Sequence, residues 1–136
     1  MKIKKLINLI SIPLIKDDCS LCFAQKNDHI PFDIKRVYYI LKSKPGISRG
    51  LHAHKKLQQV FFCIQGSMKM VLDDGKKRKE VFLNKPNRGI LLEPMVWHEM
   101  KQIKKDTIML VLASDVYKES DYIRDYEEFK KLTNNE

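Results

Sequence analysis

An all-β sandwich or barrel is the fold this sequence predicts, and three observations carry the prediction. Short runs rich in β-branched and aromatic residues recur at a spacing of roughly 8–12 residues. Turn signals separate them, at Lys44-Pro45-Gly46, Asp73-Asp74-Gly75 and Lys85-Pro86-Asn87-Arg88-Gly89. Helical spacing is confined to the last segment, where Tyr122, Tyr126 and Phe129 stand at i, i+4 and i+7.

Each element has its own justification. Leu6–Ile15 is largely apolar and predicts a first strand. Ile34–Leu41 is dense in β-branched and aromatic residues and is ended by Lys44-Pro45-Gly46. Val60–Ile64 is closed by Gly66, and Ser67–Leu72 alternates Met68, Met70 and Leu72 against Ser67, Lys69 and Val71. Asp73-Asp74-Gly75 then turns the chain into Glu80–Leu83, as Asp-Gly pairs do in hairpins. Ile90–Leu92, Glu99–Ile103 and Thr107–Ala113 complete the strands, and Ser120–Leu132 is predicted helical behind a Ser-Asp start.

Composition bounds the function. The 136 residues, 43% of them hydrophobic, form one predicted domain over residues 1–136, with no linker or repeat to divide them. A net charge of +9 suits nucleic acid, a membrane surface or a phosphorylated small molecule. The densest basic cluster, Lys76-Lys77-Arg78-Lys79, follows a hairpin turn and reads as a solvated tip. Neither a recognition helix nor zinc-finger spacing accompanies it, so nucleic acid is not expected. Three cysteines make an odd count, which favours a reducing compartment. Cys19-x-x-Cys22 lacks a second pair for zinc and reads as part of a strand or turn. The basic start Met1–Lys5 before apolar Leu6–Ile15 imitates a secretory signal. Asn8, Ser11 and Pro13 interrupt the run, no small-x-small site follows it, and it is far too short to span a bilayer. A cytoplasmic protein is expected.

The chemistry concentrates in Arg49-Gly50-Leu51-His52-Ala53-His54-Lys55-Lys56-Leu57-Gln58-Gln59. On a strand, residues i and i+2 share a face, so His52 and His54 point the same way. Paired imidazoles serve metals or proton transfer, because histidine titrates near neutrality. A metal site of this kind expects a carboxylate shortly after the second His, and Gln58 and Gln59 stand there instead. Amides are poor transition-metal ligands. No metal is expected, and acid–base work is.

Gly50-x-His52-x-His54, then Gly66, then Gly89 with Pro94 and His98, resembles the two-motif layout of cupin jelly rolls. Closer still, several segments resemble the nucleotide-sugar 3,4-ketoisomerases that act on dTDP-4-keto-6-deoxyglucose. These are Lys35–Ile40, Arg49–Lys56, Gly66-Ser67, Leu72–Gly75, Pro94–Trp97, Leu110–Ser114 and Asp121–Phe129. The resemblance implies a cupin jelly roll with a short C-terminal helix and a cofactor-free isomerase moving a keto group from C4 to C3. It also implies a product destined for 3-amino-3,6-dideoxy sugars of surface glycans, and a homodimer, in a family where the N-terminal strands are often exchanged between subunits. Carried onto this sequence, it makes His52 and His54 base and support, and Tyr38 a partner to the enediolate oxygen. It assigns Arg36 and Arg49 to the pyrophosphate, Gln59 to a sugar hydroxyl, and Trp97 to stacking on sugar or thymine. His98 stands one residue closer to Pro94 than the cupin pattern has it and is left outside the site. Arg124 is expected to anchor the C-terminal helix through Asp121 or Asp125. Where the family commonly shows Arg-Gly, this chain has Asp18-Cys19.

Overall fold

The structure, a computed structural model, describes residues 5–134. The basic start at Met1–Lys4 lies outside the described residues. Among the described residues there are twelve strands: β1 Asn8–Ser11, β2 Leu14–Lys16, β3 Ser20–Cys22, β4 Arg36–Ile40, β5 Arg49–His54, β6 Gln59–Gln65, β7 Met68–Asp73, β8 Arg78–Leu83, β9 Arg88–Leu92, β10 Trp97–Lys101, β11 Ile108–Ala113 and β12 Tyr122–Ile123. One helix, α1 Tyr126–Asn134, follows them. No helix among the described residues is long and apolar enough to cross a membrane.

Two five-stranded sheets face each other, in the orders β1-β9-β6-β11-β4 and β12-β5-β10-β7-β8, with β2-β3 as a separate hairpin. Every pairing between these strands is antiparallel. This is the jelly-roll architecture the sequence predicts. The alternation read along Ser67–Leu72 sets the sheet's orientation, since Met68, Met70 and Leu72 are fully buried. They meet Phe61, Cys63, Ile90, Met109 and Val111 from the other sheet in one core. Burial of such side chains is worth about 1.5–3 kcal/mol each before chain entropy opposes it.

Two elements depart from expectation. The single strand expected over Leu6–Ile15 is split into β1 and β2, because Pro13 carries no N–H for a ladder. β1 joins β9 at the sheet edge, while β2 folds onto β3. The helix expected over Ser120–Leu132 begins only at Tyr126. Asp125 accepts the Glu128 N–H at 3.1 Å, capping the helix there. The residues before it are used otherwise: Glu119–Asp121 forms a 3-10 turn, and Tyr122 and Ile123 pair with His54 and Ala53. Phe129 and Ile123 then bury against Ala53 and Trp97 on the outer face of the second sheet. Arg78 is also more than a solvated tip residue, bridging Asp73 and Glu99 at 3.0 Å each.

Candidate active site

The His pair is aimed by a kink in β5. Gly50 and Leu51 both take positive φ, 82° and 59°, immediately before His52. The pairing of β5 with β10 shifts register opposite them, between His98 and Glu99. A bulge of this kind re-aims side chains. Gly50 suits the position on space as well as conformation, since a Cβ there would meet the His98 carbonyl oxygen at 3.0 Å. The outcome is a cluster of three imidazoles rather than two. His52 lies 5.0 Å from His54 and 4.4 Å from His98, centroid to centroid. His98, left outside the site on spacing, therefore lies in one cluster with His52 and His54.

Each imidazole is tied through Nδ1. His52 Nδ1 donates to the Gly50 carbonyl at 3.0 Å, and His98 Nδ1 sits 3.5 Å from the Val96 carbonyl. His54 Nδ1 faces the Asp121 carboxylate at 3.1 Å. Carbonyl and carboxylate oxygens only accept, so these contacts favour the Nδ1–H tautomers and leave Nε2 with its lone pair. All three imidazoles are held below the ordinary histidine pKa. Burial is the first cause for each, and for His54, pushed down to about 4, the neighbouring His52 is next. Asp121 acts in the opposite sense on His54. Neutral at neutral pH, each imidazole keeps its proton on Nδ1 and offers the Nε2 lone pair as a base.

Across the barrel, the Tyr38 hydroxyl donates to Gln59 Oε1 at 2.6 Å. Burial pushes the Tyr38 phenol up from its ordinary value, which keeps it an O–H donor. Gln59 is 1% exposed, and its Nε2, like Arg36 Nε, is buried with no hydrogen-bond partner among the described residues. Orphaned buried donors are costly, and a ligand oxygen is one group that would satisfy them. Arg36 also sits over the Tyr38 and Tyr117 rings. Beside His54 opens a cavity of about 470 Å³ lined by Lys35, Arg36, Lys55, Lys56 and Lys118. Asp115 and Asp121 also line it, and the cleft is net basic.

Two expected residues lie apart. Arg49 is exposed and lines a smaller cavity with Ile40, Ile47 and Ile103, so it does not share Arg36's cleft. Trp97 does not share the face of the imidazoles. It is buried on the outer face of β10 against Phe129 and Tyr126, and its Nε1 donates to Glu99 at 2.9 Å. Strand alternation sends His98 inward and so sends Trp97 outward. Arg124 does not anchor the helix. It pairs with Glu119 at 2.9 Å and lies 4.2 Å above the Tyr122 ring, which itself packs on His52 and His54. Tyr122 and Asp121 thus form a wall of the site. Cys19 and Cys22 are free and exposed on the hairpin, away from this cluster.

The donor set bears on metal. One ring nitrogen from each of His52, His54 and His98 lies within 4.8 Å of the others, a set able to hold a borderline transition metal. Gln58 and Gln59 stand where a carboxylate ligand would, and His98 is the third donor in its place.

The family described as FdtA: WxcM-like, C-terminal, matches residues 4–134 of the chain. The TDP-4-oxo-6-deoxy-alpha-D-glucose-3,4-oxoisomerase of Aneurinibacillus thermoaerophilus is 50% identical over 127 residues, covering 93% of this chain and 90% of that one. The chain belongs to this family of sugar 3,4-ketoisomerases. Solved members agree in fold. A 3,4-ketoisomerase from Helicobacter canadensis is 42% identical, with a TM-score of 0.91 over 94% of this chain and 97% of that one. A His-to-Asn variant of QdtA, the 3,4-ketoisomerase of Thermoanaerobacterium thermosaccharolyticum, was solved with TDP-4-keto-6-deoxyglucose. It is 40% identical, with a TM-score of 0.93 over 98% and 97% of the two chains.

Proposed function

We propose that this enzyme moves the keto group of TDP-4-keto-6-deoxyglucose from C4 to C3 through an enediol. The observation that carries the reading is the cluster of three neutral imidazoles, with His54 and Arg36 lining one cleft and Tyr38 bonded to Gln59, whose Nε2 is unpartnered among the described residues. The relatives' substrate and the complex of QdtA with it support the choice of sugar.

His54 Nε2 removes the proton at C3, and the C3–H electron pair becomes the C3=C4 bond. The C4 carbonyl oxygen gains a proton as its π pair moves onto it, with Tyr38 as the O–H donor. Loss of the proton from the C3 hydroxyl then forms the C3 carbonyl, and C4 takes a proton. Nothing is gained or lost overall, so the step calls for bases and donors and no redox partner. His52 and His98 keep the developing charge beside polarisable neutral rings, and Gln59 Nε2 holds a sugar oxygen. Arg36 with the lysines of the cleft pairs with the diphosphate, as guanidinium and ammonium groups do with phosphate oxygens. Arg49, outside that cleft, adds to the positive field around Tyr38 and has the lesser part in holding the nucleotide.

The enzyme works without a metal in this reading, as a single domain over residues 1–136 in the cytoplasm. A nucleotide-sugar substrate and free thiols support that location. It works as a homodimer. Leu9 on β1, Ile15 and Leu21 on the hairpin, and Val37 and Tyr39 on the edge strand β4 expose apolar side chains that a second copy would cover. Strand exchange would make the β1–β9 pairing between subunits. The product carries a ketone at C3, ready for amination into a 3-amino-3,6-dideoxy sugar of a surface glycan.

A second reading, a metal-dependent cupin enzyme, draws on the three-imidazole donor set. One experiment separates the two. Purified, metal-analysed protein is incubated with TDP-4-keto-6-deoxyglucose in deuterated water and the product is followed by NMR. A 3-keto product with deuterium at C4, unaffected by chelator, is expected. Activity restored only by stoichiometric zinc, iron or manganese would favour the metal enzyme.

A further inference from the structure

The chain reaches back from its C-terminal segment to put a carboxylate behind one of the imidazoles. Asp121 lies 67 residues from His54, yet its Oδ2 is 3.1 Å from His54 Nδ1. His54 is 3% exposed and Asp121 16%, so little water competes for the contact. The carboxylate is itself held in place. Its Oδ1 accepts the Lys56 N–H at 2.9 Å, and its backbone carbonyl accepts the Lys55 N–H at 2.9 Å. The Asp121 N–H in turn donates to the Lys118 carbonyl at 3.0 Å. Both oxygens are thus committed, one to the loop after β5 and one to the imidazole at the end of β5.

We propose that Asp121 is a positioning residue for the isomerisation, holding His54 in the tautomer whose Nε2 carries the lone pair. An ionised carboxylate only accepts hydrogen bonds, so the His54 proton resides on Nδ1 and Nε2 is free to take the C3 proton. When it does, the imidazolium forms against a fixed negative charge rather than in an apolar wall. The inference rests on the reading of His54 as the base.

Asp121→Asn tests it sharply, because the Lys56 N–H dictates how the amide must lie. The amide oxygen keeps the Lys56 N–H, so the NH₂ takes the place of Oδ2 and donates to His54 Nδ1. That drives the His54 proton to Nε2 and removes the base without changing shape. Exchange of the C3 proton with solvent should fall by about 10²–10⁴-fold, the usual worth of a general base.

The readout that a merely structural role would not move is the tautomer itself. With ¹⁵N-labelled histidine and TDP bound, the chain's four histidines give separable ring signals, assigned through the His54→Asn spectrum. The expected result is Nδ1–H for His54 in the native protein, and Nε2–H with lost exchange in Asp121→Asn. Native His54 protonated on Nε2 overturns the proposal whatever the variant does, including a variant that fails to fold. Asp121→Asn exchanging at the native rate while His54→Asn does not exchange overturns it and leaves His54 as the base. Native-rate exchange in His54→Asn removes the base assignment and the proposal with it.

Discussion

Mild acid should destabilise this protein through its imidazoles, and His54 permits the size to be worked out. Burial first, and then the adjacent His52, push its pKa down to about 4, against about 6.5 in the unfolded chain. The unfolded state therefore binds the proton first. Full stability is present above about pH 6.5, falls as the pH drops, and has lost all of His54's share below about pH 4. At about 1.4 kcal/mol per pH unit, the total loss is about 3 kcal/mol, of which about 2 kcal/mol has gone by pH 5. His52 and His98 are shifted in the same direction and add to it. Unfolded carboxylates remain largely ionised at pH 5, so they contribute little in this window. The assay is urea unfolding of the native protein and His54→Asn at pH 7.5 and pH 5, at one protein concentration. The native protein should lose about 2 kcal/mol more than the variant on acidification. Equal losses in the two proteins would refute the argument that His54 is buried neutral.

Three further outcomes are expected. Arg36→Ala should weaken TDP binding by about 1.5–3 kcal/mol by calorimetry, as for a lost charge-assisted hydrogen bond, and Arg49→Ala by less, because only Arg36 lines the cleft beside His54. Equal affinities in Arg36→Ala and native protein would take the diphosphate out of that cleft. Tyr38→Phe removes the donor to Gln59 Oε1 and should slow turnover about 10²-fold or more with TDP affinity little changed; a native turnover rate would excuse Tyr38 from proton transfer. Trp97→Phe removes the donor to Glu99 and part of the packing on α1, so it should lower stability by about 1–2 kcal/mol and leave TDP affinity intact. A weakened TDP affinity with unchanged stability would return Trp97 to the ligand.

What the sequence determined by itself is whatever follows from neighbours along the chain. Alternation of Met68, Met70 and Leu72 set which face of the second sheet is core. The Asp-Gly turn set a hairpin, and the i, i+2 spacing put His52 and His54 on one face. Only the tertiary structure decided how these local pieces meet. His98 entered the site because a bulge at Gly50-Leu51 re-registers β5 against β10, a property of two strands and not of either. Trp97 left it because alternation assigns opposite faces to adjacent residues, and which face is outward depends on what packs there, in this case α1. Tyr122 read as helical by its spacing with Tyr126 and Phe129, but pairing with His54 outweighed that periodicity once Asp125 could cap the helix three residues later. Asp121 and His54 share no local signal, since no local pattern encodes a 3.1 Å contact between positions 67 apart. Side-chain period is a short-range property of the backbone, whereas an active site is assembled across sheets, and its pKa values follow from the burial that assembly produces.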